Sequence, residues 1–190
     1  DDLKMIAEQA NRCKRIVAGL LDFARQNKVA HQSINIRDLV ASTLANLPKP
    51  ENVELEIVHE EADPIAEVDQ DQLVQVLLNL VVNAYDAMPD GGRLCVRTKG
   101  DDSWVVFEVQ DTGAGIPREN LKKIFEPFFT TKTMGKGTGL GLPVVYGIVK
   151  LHRGDISVES NVDPNLGPTG STFRVKLPRE ARNHSGKGAL

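Results

Sequence analysis

Residues 71–88, which read DQLVQVLLNLVVNAYDAM, decide the fold, because an apolar pattern of helical period runs through them beside evenly spaced polar side chains. The apolar side chains fall into two rows along such a helix. The first row contains Leu73, Val76, Leu77, Leu80, Val81 and Ala84, and the second contains Val74, Leu78 and Val82. A helix with two apolar rows should be buried on most of its surface. We therefore expect the rest of the domain to pack around it.

The same helix carries a polar stripe along one face. Its members recur every three or four residues and are Gln75, Asn79, Asn83 and Asp86. Polar groups in a buried helix need hydrogen-bond partners, since their desolvation is otherwise uncompensated. Two interpretations are open: the stripe binds a metal ion together with a polar ligand, or it is a structural seam satisfied by neighbouring backbone.

The composition is that of an ordinary globular protein. The chain has 190 residues, of which 41% are hydrophobic and 26% charged, so we expect one domain with an appendage. A net charge of −3 gives no reason to expect a nucleic-acid partner or contact with an anionic membrane. Cys13 and Cys95 lie far apart in no metal-binding spacing, which indicates a reducing compartment. Without a signal peptide or a membrane-length apolar run, we expect a cytoplasmic location.

The first 28 residues differ from the rest of the chain. Their apolar side chains alternate three and four apart, as in a coiled-coil seam, and are Leu3, Ile6, Ala10, Cys13, Val17, Leu20 and Ala24. Such a helix needs a bundle partner, although it can also lie on its own domain. Because the pattern is already helical at Asp1, we expect a fragment whose parent protein can still be membrane-anchored. Residues 179–190 are polar and predict a flexible tail or cut linker.

Between these ends, helices and strands alternate over residues 29–178, which we expect to form one domain. Turn residues separate the predicted strands, which span 33–36, 53–58, 65–68, 93–99, 103–109, 155–160 and 172–177. Helices are predicted over 37–47, from a cap at Asp69 or Asp71 to residue 88, and over 140–151. This order predicts an α+β fold, a two-layer sandwich of a mixed sheet covered by helices on one face.

Three further stretches carry chemistry. DTGAGIP at 111–117 follows a strand, where a carboxylate can accept a hydrogen bond from an exocyclic amine and glycines allow close approach of a flat ring. FEPFF at 125–129 stands in a loop and can anchor a mobile lid continuing through residue 136. GKGTGLGL at 135–142 runs into a helix, and a glycine loop before a helix N-terminus is typical of an anion site. Taken singly, the first stretch is also compatible with an ordinary turn, the second with a core cluster and the third with a flexible linker, although linkers rarely carry Leu140 and Leu142.

Together and in this order, the four stretches resemble the ATP-binding domain of sensor histidine kinases. The wider superfamily includes gyrase, the ninety-kilodalton heat-shock chaperone and mismatch-repair ATPases, which share the Bergerat-type ATP-binding fold. The segment from Asn79 to Ala84 resembles the N box and 111–115 the G1 box, while 125–129 resembles the F box and 137–141 the G2 box. FFTTK at 128–132 is similar to the nitrogen-regulation type of kinase. Residues 15–25 resemble the second helix of the family's dimerisation and phosphotransfer hairpin.

The resemblance implies a role for individual residues. Asn83 would ligate Mg²⁺ on ATP, Asp111 would bind the adenine amine between Gly113 and Gly115, and the phosphates would be wrapped by Gly137, Thr138, Gly139, Leu140 and Gly141. The implied nucleotide site also contains Asn79, Asp86, Ile116, Phe125, Thr131, Lys132, Lys136 and Leu142. Lys132 and Lys136 either reach the phosphates or remain solvated lysines.

The implied reaction is phosphoryl transfer to a histidine, with Asn79 and Lys132 as catalytic residues. The hydrolysing relatives carry a glutamate at the position of Asn79, and an amide is a poor general base. None of His31, His59, His152 and His184 stands in the family's acceptor pattern, so we expect the acceptor upstream of Asp1. The implied partners are ATP, a response-regulator receiver domain and a second copy that dimerises through the hairpin. An ATP-hydrolysing switch and a non-catalytic, nucleotide-binding adaptor remain as alternatives.

Overall fold

The computed structural model describes residues 29–60, 63–132 and 137–180. The predicted helix over 1–28 and most of the predicted tail lie outside these residues. The described residues form three helices, which are α1 (Ile36–Ala45), α2 (Gln70–Asp86) and α3 (Gly141–Leu151). They also form seven strands, which are β1 (Gln32–Asn35), β2 (Val53–His59), β3 (Ile65–Val68), β4 (Gly92–Gly100), β5 (Trp104–Asp111), β6 (Asp155–Asn161) and β7 (Gly170–Pro178).

Five strands form the main sheet in the order β2-β4-β5-β7-β6, and β1 pairs with β3 in a separate two-stranded sheet. The β2–β4 pair is parallel and the other pairs are antiparallel, so the main sheet is mixed. This confirms the predicted α+β class with a mixed sheet and helices. Within the described part of the chain, none of the helices has the length and apolar character that a membrane crossing requires.

The first apolar row of α2 is buried against the sheet, as the helical period predicts. Its side chains are at most 4% exposed. Phe107 of β5 meets Leu73 of α2 and Ile36 of α1 around one small internal gap, so both helices share a layer over the sheet. Each such large apolar side chain contributes about 1.5–3 kcal/mol when it leaves water. The core therefore fixes the roll of α2 about its axis, and with it the direction of the polar stripe.

The expectation that α2 is buried on most of its surface is wrong for the second apolar row. Val74 and Leu78 are half-buried, and Val82 is 43% exposed. They border an open cleft of about 350 Å³ that Gln75 and Asn79 also line. A helix lying on one sheet turns only one stripe toward it, which explains why the two rows differ.

The N-terminus of α2 is tied to the C-terminus of α3. Asp69 caps α2 by accepting a hydrogen bond from the backbone N–H of Gln72 at 3.1 Å, so Asp71 is not the cap. The backbone N–H of Asp69 donates to Nε2 of His152 at 3.0 Å. Because Nε2 accepts, the ring proton is on Nδ1, which donates to the carbonyl oxygen of Ile148 at 2.9 Å. His152 thus joins the two helices that carry the polar stripe and the glycine loop.

We expect His152 to make the domain less stable in mild acid. Burial lowers the pKa of this imidazole, and the ring of His31, 5.8 Å away, acts in the same direction while Asp69 opposes it. A histidine whose pKa is depressed on folding gives full stability above the unfolded pKa of about 6.5 and loses it as the pH falls below that value. The melting temperature of the wild-type chain should therefore fall between about pH 7 and pH 5.

The measurement is thermal unfolding across that pH range for wild type, His152→Gln and His59→Gln. His59 is an exposed histidine of β2 and serves as the matched control. The pH slope should flatten in His152→Gln and persist in His59→Gln. Equal slopes in all three proteins would show that His152 does not titrate on unfolding.

Candidate functional site

Three predicted stretches meet around the polar face of α2. The loop that follows β5 packs on the C-terminal end of α2, and the N-terminus of α3 packs on its middle. In the loop, the backbone N–H of Ala114 donates to the carbonyl oxygen of Ala87, at the end of α2, at 3.1 Å. At the start of α3, Gly141 lies so close to α2 that a Cβ atom there would be 3.1 Å from Oδ1 of Asn79. The sheet and helices thus bring the predicted site residues together.

Asp111 ends β5 and is a buried carboxylate, 6% exposed. Its Oδ1 accepts hydrogen bonds from the backbone N–H groups of Gly113 at 2.9 Å and Ser171 at 3.2 Å. Burial raises the pKa of this carboxyl group, and the two N–H donors oppose the rise. Two backbone donors therefore hold the Asp111 carboxylate in one orientation at the start of the loop.

The glycines of this loop are required by the protein's own packing. A Cβ atom on Gly113 would collide with the carbonyl oxygen of Ala87, and one on Gly115 would collide with that of Asn161. Gly115 also has φ of +74°, a region that side chains rarely adopt. The loop thus fits between α2 and β6 only because both residues lack side chains. Close approach of a flat ring to these glycines stays a prediction.

Asn83 and Asp86 converge on one cation in this structure. Nζ of Lys132 lies 3.2 Å from Oδ1 of Asn83 and 2.6 Å from Oδ2 of Asp86. The ammonium group stands where oxygen ligands of two successive turns point, so it marks a cation position. Oxygen atoms of this kind fit Mg²⁺, which commonly keeps waters and takes one or two protein ligands beside phosphate oxygens. Among the described residues no cluster of three His, Cys, Asp or Glu side chains offers a metal centre made by protein alone.

Asn79 differs from Asn83 in its partner. Its Nδ2 donates to the backbone carbonyl of Gln75, one turn earlier, at 3.0 Å. The two interpretations of the polar stripe therefore apply to different members. Asn79 is partly satisfied by backbone, as in a structural seam, whereas Asn83 has a cationic partner.

The glycine loop enters α3 without a side-chain cap. The helix begins at Gly141 and its N-cap residue is Leu140. Among the residues that the structure describes, no side chain bonds the first backbone N–H groups as a cap. Before it, the backbone N–H of Leu140 lies 3.4 Å from Oγ1 of Thr138. Free N–H groups at a helix N-terminus form a favourable site for an anion.

The phenylalanine motif contributes two packed rings and one exposed ring. Phe125 and Phe129 pack against the core, whereas Phe128 is 57% exposed. The backbone of Phe128 is bonded to the glycine loop, because its N–H donates to the carbonyl oxygen of Gly139 at 2.9 Å. The motif therefore anchors the chain on both sides of 133–136, a segment that includes Lys136 and lies outside the described residues.

The other predicted residues occupy mixed positions. Ile116 and Leu142 are half-buried against the core, and Thr131 is exposed. Sequence reasoning missed Ser171, whose backbone holds Asp111, and Ser160, whose hydroxyl contacts the same loop. Neither serine stands in a motif. The pairing of β7 with β5 places Ser171 beside Asp111, and the pairing of β6 with β7 places Ser160 beside Ser171.

Several known proteins resemble this chain in sequence. The sequence matches the family described as "Histidine kinase-, DNA gyrase B-, and HSP90-like ATPase" over residues 68–181. It is 40% identical over 195 residues to the sensor kinase CckA of Brucella abortus, covering 94% of this chain and 20% of that protein. It is 35% identical over 178 residues to the sensor histidine kinase ZraS of Escherichia coli K12, covering 92% of this chain and 37% of that protein. The chain thus spans less than half the length of these relatives.

The histidine kinase ThkA has the same fold. Its catalytic domain superposes with a TM-score of 0.68 at 30% identity, covering 78% of this chain and 95% of that one. ThkA solved in complex with the response regulator protein TrrA gives a TM-score of 0.74 at 26% identity, covering 93% of this chain and 50% of that one. Since the family match at 68–181 takes in more than half of the 190 residues, the chain belongs to the histidine kinase-, DNA gyrase B- and HSP90-like ATPases, as the catalytic ATP-binding domain of a two-component sensor histidine kinase.

Proposed function

We propose that this site binds Mg²⁺-ATP and transfers the γ-phosphoryl group to a histidine of a dimerisation hairpin. The observation that carries the proposal is the convergence of Asn83 and Asp86 on one cation position, beside the uncapped N-terminus of α3. A cation position next to free backbone N–H groups suits a metal-bound polyphosphate. Asn83 would hold Mg²⁺, which neutralises charge on the phosphate oxygens when bound.

Each of the remaining site residues would contact either the adenine base or the phosphates of ATP. Asp111 would accept a hydrogen bond from the adenine amine, with the loop through Ile116 beside the ring. The backbone from Gly137 to Leu142 would surround the phosphates, and Thr131 and Lys132 would approach from the side of the phenylalanine motif. For this, Lys132 would release Asn83 and Asp86, whose side-chain oxygens would then be available to hold Mg²⁺, and its ammonium group would pair with a phosphate oxygen.

Asn79 favours transfer to protein over hydrolysis. Its amide donates to the carbonyl oxygen of Gln75 and cannot take a proton from water near neutral pH. We infer that Asn79 positions the N-terminus of α3 at Gly141 and leaves attack to an incoming imidazole. The intact nucleotide-binding motifs argue against a non-catalytic adaptor that only binds nucleotide, and a phosphate-transfer assay distinguishes the two.

The acceptor is a histidine other than the four of this chain. His152 is 3% exposed and holds two backbone groups, so it is not available to a phosphate. His31 bonds the carbonyl oxygen of Glu67, and His59 bonds the hydroxyl of Thr98. We propose that residues 1–28 form the second helix of the hairpin, that 29–178 form the catalytic domain and that 179–190 are a tail or linker.

The type of kinase and its protein partners are inferred from resemblance to known histidine kinases. FFTTK at 128–132 favours the nitrogen-regulation type of kinase, and the parent protein would dimerise through the hairpin. ThkA was solved with a response regulator protein, so we propose a receiver domain as the next phosphate acceptor. The domain would act in the cytoplasm, whether or not the parent protein is membrane-anchored.

The test is incubation of the chain with γ-labelled ATP, with and without a separately supplied hairpin that contains the acceptor histidine. Label should appear only on the added hairpin, and it should be acid-labile and base-stable, as phosphohistidine is. Label on His31, His59, His152 or His184 of the chain alone would overturn the assignment of the acceptor.

A further inference from the structure

A side chain of β6 forms a hydrogen bond with the loop that follows β5. Oγ of Ser160 accepts a hydrogen bond from the backbone N–H of Ile116 at 2.7 Å. The two residues are 44 positions apart in the sequence, so this bond is a tertiary tie and not a local turn. It holds the end of the loop whose beginning is held by Asp111.

The hydroxyl of Ser160 has all its bonding capacity in use. It donates its proton to the carbonyl oxygen of Gly170 at 2.8 Å, and it lies 2.9 Å from Oγ of Ser171. Because a hydroxyl has one proton and two lone pairs, Ser171 must be the donor in the pair. Ser160 therefore accepts from Ile116 and Ser171 while donating to Gly170.

The same cluster reaches Asp111. The backbone N–H of Ser171 donates to Oδ1 of Asp111, and Gly170 lies so close to Asp111 that a Cβ atom there would collide with the Asp111 carbonyl oxygen. Ser160 is thus bonded to both residues of β7 that press on Asp111 and to the far end of the loop. It sets the distance between the carboxylate and Ile116.

We propose that Ser160 is a positioning residue for nucleotide recognition, which fixes the loop from Asp111 to Ile116 against β7 so that a purine base is bound in one register. The inference rests on the proposed function, since it takes this loop as the part of the site that holds adenine. Ser160 lies on β6, which packs on the loop at Gly115, whereas α2, the helix that carries Asn83, packs on the loop at Gly113. The influence of Ser160 should therefore fall on binding of the base and leave the phosphate half of the site unchanged.

Removing the Ser160 hydroxyl should weaken binding of the base without changing binding of the phosphates. Ser160→Ala leaves the N–H of Ile116 and the carbonyl oxygen of Gly170 without this partner. The loop is then no longer held in its binding geometry before ATP arrives, and the cost of ordering it on binding should weaken ATP affinity about tenfold. Calorimetry with Mg²⁺ should show that loss for ATP and no loss for inorganic tripolyphosphate. Ser160→Thr keeps the hydroxyl and should restore ATP affinity.

The matched control is Ser157→Ala, a serine of the same strand that is exposed. It should bind both compounds as the wild type does. If Ser160→Ala weakens tripolyphosphate as much as ATP, the serine has only a structural role and the proposal fails. Should Ser160→Ala not fold, Ser160→Cys, whose thiol accepts hydrogen bonds weakly, takes its place, and unchanged ATP affinity in that variant overturns the proposal.

One more variant separates this inference from the proposed function. Asp111→Ala removes the carboxylate itself. If Asp111→Ala weakens ATP binding and Ser160→Ala does not, the positioning role of Ser160 is wrong while the base assignment stands. If neither variant changes ATP affinity, the loop does not hold the base and the assignment of Asp111 falls as well.

Discussion

Asn83→Ala should abolish the magnesium dependence of ATP binding and weaken binding of Mg²⁺-ATP about 100-fold, an effect of the size expected when a metal ligand or its close support is lost. The reason is geometric. Oδ1 of Asn83 lies 3.2 Å from the ammonium group that marks the cation position, and alanine offers no oxygen there. The fold should survive, because Asn83 lies outside the buried row of α2. The measurement is calorimetric titration with and without Mg²⁺.

Two further variants make the Asn83 result specific. Asn83→Asp keeps an oxygen ligand and should retain magnesium-dependent binding. Asn46→Ala removes an asparagine at the end of α1 that donates to the carbonyl oxygen of Ser42, and it should leave affinity unchanged. Unaltered Mg²⁺-ATP affinity in Asn83→Ala would show that Asn83 is not a metal ligand.

Asp111→Asn should reverse the choice of base. The amide oxygen can still accept from Gly113 and Ser171, so the loop keeps its support. The other carboxylate oxygen becomes an NH₂ group, which repels the adenine amine and can donate to the carbonyl of guanine. Sites that hydrogen-bond a polar group reject an analogue without it by about 10⁴-fold or more, and we expect a loss for ATP of about 100-fold in this partly open loop. Asp111→Ala should instead erase the discrimination between ATP and GTP.

Competition between ATP and GTP, measured with the same fluorescent nucleotide, checks this result. Asp102→Asn, in the exposed turn between β4 and β5, is the matched control and should behave as the wild type. If Asp111→Ala keeps full preference for ATP over GTP, Asp111 does not recognise the base and serves only to form the turn.

The helix that decides the fold could be predicted in detail because its period is a local property. All six side chains of its first apolar row, from Leu73 to Ala84, are buried, as the spacing predicts. The strand bounds also follow the alternation of apolar residues and the turns, and β3 spans the predicted 65–68. Local patterns cannot tell which of two apolar rows meets a sheet layer, so the exposure of Val82 was not foreseeable.

The arrangement of the site depends on pairings between distant residues. The order β2-β4-β5-β7-β6 places Ser171 beside Asp111 although 60 positions separate them in the sequence. Ser160 stands in no sequence motif, and it reaches its hydrogen-bond partners only because β6 pairs with β7. The contact of Lys132 with Asn83 likewise joins two stretches that the sequence shows only as separate motifs.

A single-turnover experiment distinguishes phosphoryl transfer to protein, which we propose for this site, from transfer to water. The chain, in excess over γ-labelled ATP with Mg²⁺, is mixed with the acceptor hairpin, and label is counted on protein and as free phosphate. We expect nearly all label to reach the hairpin histidine, and we expect ATP to stay intact when the hairpin is omitted. Label recovered as free phosphate, with no labelled protein, would contradict this prediction and identify the chain as a hydrolase.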